Sequence, residues 1–541
     1  MEKIGHKAWW LMVAAVVAVI GMGFIHWRLL WLEVIFVPLA LLGLWDVRQK
    51  RHSILRNYPV IGHMRFLLEG MGPELHQYVV ESDQDGRPFN RDLRSVIYQR
   101  AKGVEDKKPF GTELDVNQPG YSWLAHSIAT RPVVADPVGT LRTTVGGPDC
   151  TQPYSASILN ISAMSFGALG APAIRAMNLG AKKGNFAHDT GEGSISPYHR
   201  ENGGDLIWQL GTGYFGCRTE DGEFDPEAFT ERATDPQVKM IEIKVSQGAK
   251  PGHGGILPGA KVTHEIAETR LVPEGKDVES PTYHRAFSTP LEMTAFIAQL
   301  RELSGGKPVG FKICIGDPLE FMSIAKAMLE TGIYADFIVV DGGEGGTGAA
   351  PLEFSNAMGA PLLEGLLVVQ NTLVGAGIRS EMRVGASGKL VTAAAICAAM
   401  SLGADWCNTA RAFMFSVGCI QAQRCHTNRC PVGVTTQDPK LQRALVVSDK
   451  AERVHNFHRN TVHAVAEMIA AAGVEHPTDL GPEKVFRRVS HAQVLRLDEI
   501  YPHINSGDLL ESRAPDRFQH AWDAASAERF HSETGASPRK P

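Results

Sequence analysis

The chain has no marked excess of charge of either sign. Lys and Arg total 54 against 59 Asp and Glu, a formal net charge of −5 over 541 residues. Without a basic excess to neutralise phosphates, nucleic acid is not an expected partner. Cysteine is too sparse for a disulfide framework, with eight in the whole chain. That excludes a small secreted scaffold and agrees with a reducing compartment. No internal repeat is visible, so a stacked-repeat architecture is not expected. Glycine, by contrast, is abundant at 55 residues. Many of these glycines follow apolar runs, where backbone must approach a ligand closely.

The first 50 residues differ from the rest. Ala8 to Ile25 is apolar and uncharged, His26-Trp27-Arg28 interrupts it, and Leu29 to Trp45 is apolar again apart from Glu33 and Pro38. Each run is near the length needed to cross a bilayer with some tilt. Trp9, Trp10, Trp27, Trp31 and Trp45 lie near the run ends, as an interfacial aromatic belt would. Lys3 and Lys7 precede the pair, and Arg48, Lys50, Arg51 and Arg56 follow it. The positive-inside rule then predicts a transmembrane hairpin over 1–50 with both ends in the cytoplasm, at the inner membrane. A cleaved signal peptide fits less well, because a second apolar run follows at once.

Residues 51–150 read as an irregular connecting region, rich in charge, proline and glycine, with one helix near Leu75–Val80. From about Ser157 short β-branched runs alternate with alanine-rich stretches. Strands are predicted at Ser157–Ile161, Met240–Val245, Val309–Ile315, Phe337–Val340, Met382–Val384 and Trp406–Thr409. Helices are predicted at Ala171–Gly180, Pro290–Leu303, Leu319–Thr331, Leu362–Ala376 and Leu390–Leu402. This alternation indicates a parallel sheet with crossover helices. The count suits an α/β fold of the (β/α)8 TIM-barrel type over 151–440. No Gly-x-Gly-x-x-Gly fingerprint opens a strand–helix unit at the start of this region, which argues against a Rossmann domain. Residues 441–541 read as a helical extension whose last ten or so residues are disordered.

Four constellations carry chemistry. Cys419, Cys425 and Cys430 stand in a C-x5-C-x4-C-Pro pattern. Three soft thiolates at that spacing suit an iron–sulfur cluster, and the lack of a close fourth favours three irons. Zinc held with His426, or a merely buried cysteine group, are the alternatives. Asp341-Gly342-Gly343-Glu-Gly345-Gly346-Thr-Gly follows one strand, and Gly385-Ala-Ser387-Gly388-Lys389 ends the next. Arg411 follows a third. Glycine loops at consecutive strand ends with an arginine suit the phosphate of a cofactor such as FMN. Tight turns are the alternative. Lys312 lies inside an apolar strand, where it needs an anion, such as a reduced flavin, or an escape to the rim. Lys244, Gln247, Lys250 and His253 cluster at a strand end, and Glu192 comes from another loop. That set suits a dicarboxylate, or else a solvated polar loop.

Together these stretches resemble the FMN-binding synthase domain of glutamate synthase over roughly residues 110 to 440. The resemblance is carried by Ser162-Ala-Met164-Ser165-Phe-Gly, Thr190-Gly-Glu192-Gly, Gln247-Gly-Ala-Lys250-Pro-Gly, Asp341 to Pro351 and the cysteine motif. It implies FMN at the barrel mouth, with its ring near Ser162, Met164, Ser165 and Gln247 and with Lys312 beside it. The glycines 342, 343, 345, 346, 385 and 388, with Ser387 and Arg411, are implied to hold the phosphate. Glu192, Lys250 and Arg270 are implied to bind a 2-oxo acid, with Lys312, Glu192 and Lys250 as the catalytic set. Cys419, Cys425 and Cys430 are implied to ligate a [3Fe-4S] cluster that passes electrons to FMN. The implied reaction reduces 2-iminoglutarate, from 2-oxoglutarate and ammonia, to glutamate. A membrane-linked dehydrogenase of an amino acid or N-alkylglutamate is the oxidative alternative. The family's glutaminase nucleophile is an N-terminal cysteine, where this chain has Glu2. Free ammonia or a separate ammonia-supplying subunit, and an electron-transfer partner that is ferredoxin-like or a membrane carrier, are therefore expected. His253 and Ser194 depart from the family pattern on the substrate side.

Overall fold

The computed structural model describes residues 2–49, 51–104, 107 and 109–531; the tail expected to be disordered lies outside them. Two compact units divide the chain, Met1–Asp92 and Leu93–Pro541.

In the first unit, α1 (Glu2–Gly23) and α2 (Glu33–Arg48) form an antiparallel hairpin, turned by a 3-10 segment at Trp27–Leu32. The helices touch closely where Trp9 donates from Nε1 to the Ala40 carbonyl at 3.1 Å. A Cβ on Gly43 would stand 2.2 Å from the Trp9 ring, so only glycine allows that approach. Trp27–Arg48 is long and apolar enough to cross a bilayer, whereas the apolar part of the first helix, Trp9–Gly23, is shorter. The region between the hairpin and the barrel combines helices with long irregular stretches. α3 (Gly62–Leu75) runs on as a helical turn to Val80, and another helix spans Arg91–Lys102.

The second unit is built on a closed parallel barrel of eight strands in sequential order. These are β1 (Leu159–Ile161), β2 (His188–Asp189), β3 (Leu206–Leu210), β4 (Val238–Lys244), β5 (Val309–Ile313), β6 (Phe337–Asp341), β7 (Arg383–Ser387) and β8 (Trp406–Thr409). The expected TIM barrel is therefore present. Alternation along each strand sorts its side chains. Leu206, Trp208 and Leu210 face the surrounding helices, as do Ile338 and Val340. Ile207, Met240, Phe337 and Trp406 point inward, where Val145 and Tyr154 of an antiparallel hairpin join them. Gly310 and Gly385 leave room for this aromatic plug: a Cβ would come within 2.5 Å of the Phe337 ring and 2.7 Å of the Trp406 ring, respectively.

Beyond residue 440 the structure is only partly helical. A long helix, Val447–Ala472, packs on the barrel helix Ala171–Gly184. Val485–Arg488 and Val494–Arg496 then form strands in a three-stranded sheet with Ser122–Leu124. Each segment opens on the β-branched residue Val485 or Val494, followed by Phe486 or Leu495, residues that suit a half-buried strand.

Three buried histidines make this unit acid-labile. Burial pushes His188 and His458 down to about 3 and His284 down to about 4. Each stays neutral in the fold but takes up a proton near pH 6.5 when unfolded. Stability is thus full above pH 6.5 and falls as the pH drops below it, by about 1.4 kcal/mol per unit for each group. Denaturant melts at pH 6.5 and 5.5 are expected to differ by about 3 kcal/mol for the three together, because the unfolded histidines are already half protonated at pH 6.5, and equal midpoints would contradict the assignment.

Candidate active site

The C-terminal ends of the barrel strands open into a deep cleft of about 1340 Å³, open solvent at its mouth included. It is a large concave site of the kind that holds cofactors, at the barrel face where active sites sit. Its floor is charged because the inward positions above the apolar plug are polar. Lys312 Nζ lies 3.4 Å from Asp341 Oδ2, and Gln209 donates to Glu242 at 2.6 Å. Burial acts to lower Lys312, but Asp341, Glu242 and Asp189 outweigh it and hold the lysine above its ordinary range. Burial, and then Glu242, push Asp189 well above the usual carboxylate range. Burial raises Glu242 as well, so the two facing carboxyl groups share the floor with Lys312. The floor thus gathers Asp341, Glu242 and Asp189 around one buried lysine.

A cationic pocket stands on one side of the cleft. Lys244 Nζ is 3.0 Å from Glu192 Oε2. Burial opposes ionisation of Glu192, but Lys244, Lys250 and Arg270 prevail and hold its pKa below the ordinary value. Arg270 is buried, donates from Nη2 to the Phe166 carbonyl at 2.8 Å and stacks 5.2 Å from the Phe215 ring. Burial lowers it to about 10, so it remains a cation at neutral pH. Its buried Nε has no protein partner. Three cations and one carboxylate leave two positive charges for a ligand. Glycine is required here too, since a Cβ on Gly255 would sit 2.2 Å from Glu192 Oε1.

On the opposite side, Gly345, Gly346, Ser387, Gly388 and Arg411 line the cleft. Arg411 is held by the Thr347 carbonyl, and a Cβ on Gly346 would stand 2.6 Å from its Nε. Ser162 and Ser387 meet at 3.2 Å between hydroxyls. This rim of glycine backbone, hydroxyls and a guanidinium fits a phosphate. Met164, Leu169, Leu257 and Met414 supply apolar wall for a flat ring. The residues present fit FMN.

Ser162, Met164, Ser165, Glu192, Gln247, Lys250, Arg270, Lys312, Gly345, Gly346, Ser387, Gly388, Arg411 and Cys425 thus meet in one cleft. Gly342, Gly343 and Gly385 do not line it. A Cβ at Gly342 would press on Leu362 and Glu344, one at Gly343 on the Gly359 carbonyl, and one at Gly385 on Trp406. Their lack of a side chain thus serves close packing beside the cleft. His253 lines a small side pocket shared with Glu192 and Lys244. Ser194 is buried behind the cleft wall, its hydroxyl without a protein partner.

The cysteine segment closes the cleft near Cys425. Among the described residues, no three His, Cys, Asp or Glu side chains gather tightly enough to grip a single metal ion. The three thiols are nonetheless neighbours. Burial pushes Cys419 up to about 11, and Cys425 and Cys430 add to that rise. Burial opposes ionisation of Cys430, but hydrogen bonds from Thr435, Val432 and Val434 bring it below the ordinary thiol value. Gln421, Gln423 and Asn428 take left-handed backbone conformations, φ 59°, 53° and 60°, and so bend the segment into a loop. Three neighbouring cysteine sulfurs in an amide-lined loop fit the ligand set of an iron–sulfur cluster, which spreads its ligands more widely than one ion does. Lys261 is a residue that the motifs did not reveal. Its buried Nζ joins three segments, donating to the carbonyls of Ala168, Cys425 and Thr435 at 3.1, 2.9 and 2.7 Å.

Fold and site together define a (β/α)8 barrel with an anion-binding cleft at its C-terminal face. Residues 151–475 match the family model described as a conserved region in glutamate synthase. The chain belongs to the glutamate synthase family, whose members are oxidoreductases acting on CH–NH2 groups. It is 38% identical to the glutamate synthase large subunit-like protein YerD of Bacillus subtilis, over 86% of this chain and 96% of that one. It is 35% identical to an archaeal glutamate synthase [NADPH] of Archaeoglobus fulgidus, over 58% of each chain. Among solved structures a mandelate oxidase aligns over 77% of this chain and 94% of its own, at 14% identity and a TM-score of 0.39.

Proposed function

We propose that this protein is a glutamate synthase-like flavoenzyme that reduces 2-iminoglutarate, formed from 2-oxoglutarate and ammonia, to glutamate. The observation that carries this reading is the charge of the pocket: Lys244, Lys250 and Arg270 around the single ionised Glu192. Their balance of two positive charges matches a dicarboxylate. FMN would be held by Ser162, Ser165, Gln247, Gly345, Gly346, Ser387, Gly388 and Arg411. When bound, it supplies the hydride chemistry of the reaction. Lys312, at the cleft floor, would stabilise negative charge on the bound cofactor. Arg270 and Lys250 bind the carboxylates of the substrate. Glu192, held ionised, accepts the N–H of the imine and fixes the face that it presents.

A [3Fe-4S] cluster held by Cys419, Cys425 and Cys430 would sit beside the same cleft and supply electrons one at a time. The donor is proposed to be a ferredoxin-like protein or a membrane carrier, and ammonia is proposed to come free or from a separate subunit. The apolar hairpin supports anchoring in the inner membrane, with the barrel in the cytoplasm. It also favours a second reading, oxidation of an amino acid or N-alkylglutamate with electrons leaving to the membrane.

The test is anaerobic flavin absorbance on the purified holoenzyme. Reoxidation of reduced enzyme by 2-oxoglutarate plus ammonia, with glutamate formed, supports the synthase reading. Bleaching of oxidised enzyme by glutamate alone supports the oxidative one. Silence in both overturns the assigned substrate. Separately, Cys425→Ser is expected to remove iron while retaining flavin, read from iron content and the visible spectrum. Undiminished iron in that variant would reject the ligand set.

A further inference from the structure

An apolar helix face in the first unit is left uncovered. Met64, Leu67, Leu68, Met71, Leu75 and Tyr78 follow one another at helical spacing along α3 and the turn that extends it. At 100° per residue they fall within a third of the helix circumference, while Arg65, Glu69 and His76 lie outside that sector. A stripe of this kind on a soluble helix is buried against a core. Here all six side chains are between 42% and 63% exposed. A continuous exposed apolar face marks a surface that meets a protein or a membrane.

The attachment of α3 identifies the partner. Asp46, near the C-terminal end of α2, is fully buried. It accepts from the Val60 amide at 2.9 Å and bonds the His63 ring at 2.9 Å, and His63 stands in the first turn of α3. The start of α3 is therefore tied to the end of the hairpin that carries Trp45, Arg48, Arg51 and Arg56, all exposed. A tryptophan with a cluster of arginines marks the headgroup level of an anchored hairpin, and the arginines complement anionic lipid. An amphipathic helix fixed at that level meets the boundary between headgroups and acyl chains.

We propose that residues 62–80 lie in the membrane surface, with the Leu67, Leu68 and Met71 face buried in the lipid. The inference rests on the membrane reading of the hairpin and adds a second, in-plane element to it. Its partner is the bilayer itself, and the helix holds the chain that leads to the enzyme close to the surface where a membrane electron carrier moves.

The test uses the full chain with its cofactors, at one copy per nanodisc of phosphatidylcholine and phosphatidylglycerol. Leu68→Cys and Glu69→Cys are compared for reaction with a water-soluble maleimide, and peptide mapping separates them from the native cysteines. Cys at 68 is expected to react slower by about tenfold or more, the ratio that burial of one leucine implies. Equal rates in a chain that has entered the disc overturn the in-plane helix and leave the hairpin standing. Protection that appears only at two or more copies per disc overturns it in favour of a second copy covering the face. A chain that stays monodisperse in buffer and does not enter discs overturns the hairpin reading and this inference with it.

Discussion

Replacing Lys312 with methionine is expected to destabilise the barrel by about 3–5 kcal/mol, the cost of removing one partner from a buried charge group. The lysine is almost fully buried among Asp341, Glu242 and Asp189. Its removal leaves these carboxyl groups together, without their cation, in a floor walled by the apolar plug. The fold can respond only by taking up a further proton, so the variant becomes more stable as the pH is lowered toward the raised carboxyl range, opposite to the histidine effect. Adding Glu242→Gln removes one of the carboxyl groups left without the cation and keeps a hydrogen-bonding partner for Gln209. The double variant is expected to recover at least half of the loss. Denaturant melts of the four proteins of this cycle measure the coupling. Additive losses would show that Lys312 and Glu242 do not share one electrostatic group. Flavin content gives an independent reading, since the single variant also removes the cation proposed to stabilise negative charge on the bound cofactor.

How much of this was legible in the sequence depends on what each segment buries. Six strands were found because β-branched runs between glycines mark a parallel sheet. His188–Asp189 was missed because its ladder is two residues long and its side chains serve the interior charge group and a buried histidine rather than a β pattern. Leu206–Leu210 was missed although it is apolar throughout, because an apolar run alone does not separate strand from helix. Glycine was the least reliable guide to the site. Gly346 and Gly388 face the cleft, whereas Gly385 exists for the Trp406 ring, and nothing local distinguishes them. Lys261 looks like any lysine in a turn, and only the fold brings the Ala168, Cys425 and Thr435 carbonyls to it. The stripe on α3 is masked in the sequence by Gly70, Gly72 and Pro73 within it and by charges on either side.

Arg270→Gln is expected to raise KM for 2-oxoglutarate by about thirtyfold or more, since losing one member of a desolvated charge pair costs roughly 2–5 kcal/mol. The change in kcat is expected to be small, because the carboxylate bond exists in ground state and transition state alike. The fold should tolerate the substitution. Lys244 and Lys250 still balance Glu192, and the variant removes a buried Nε that has no protein partner. What changes is the excess charge of the pocket, from two positive to one. The wild-type preference for dicarboxylic over monocarboxylic 2-oxo acids should therefore shrink in the variant. Arg270→Lys is expected to recover only part of the affinity, because an ammonium cannot reproduce the guanidinium fork that also grips the Phe166 carbonyl. The measurement is steady-state kinetics with both acid types, alongside a thermal melt. An unchanged KM with intact folding would remove Arg270 from the substrate site and, with it, the charge balance on which the proposed substrate rests.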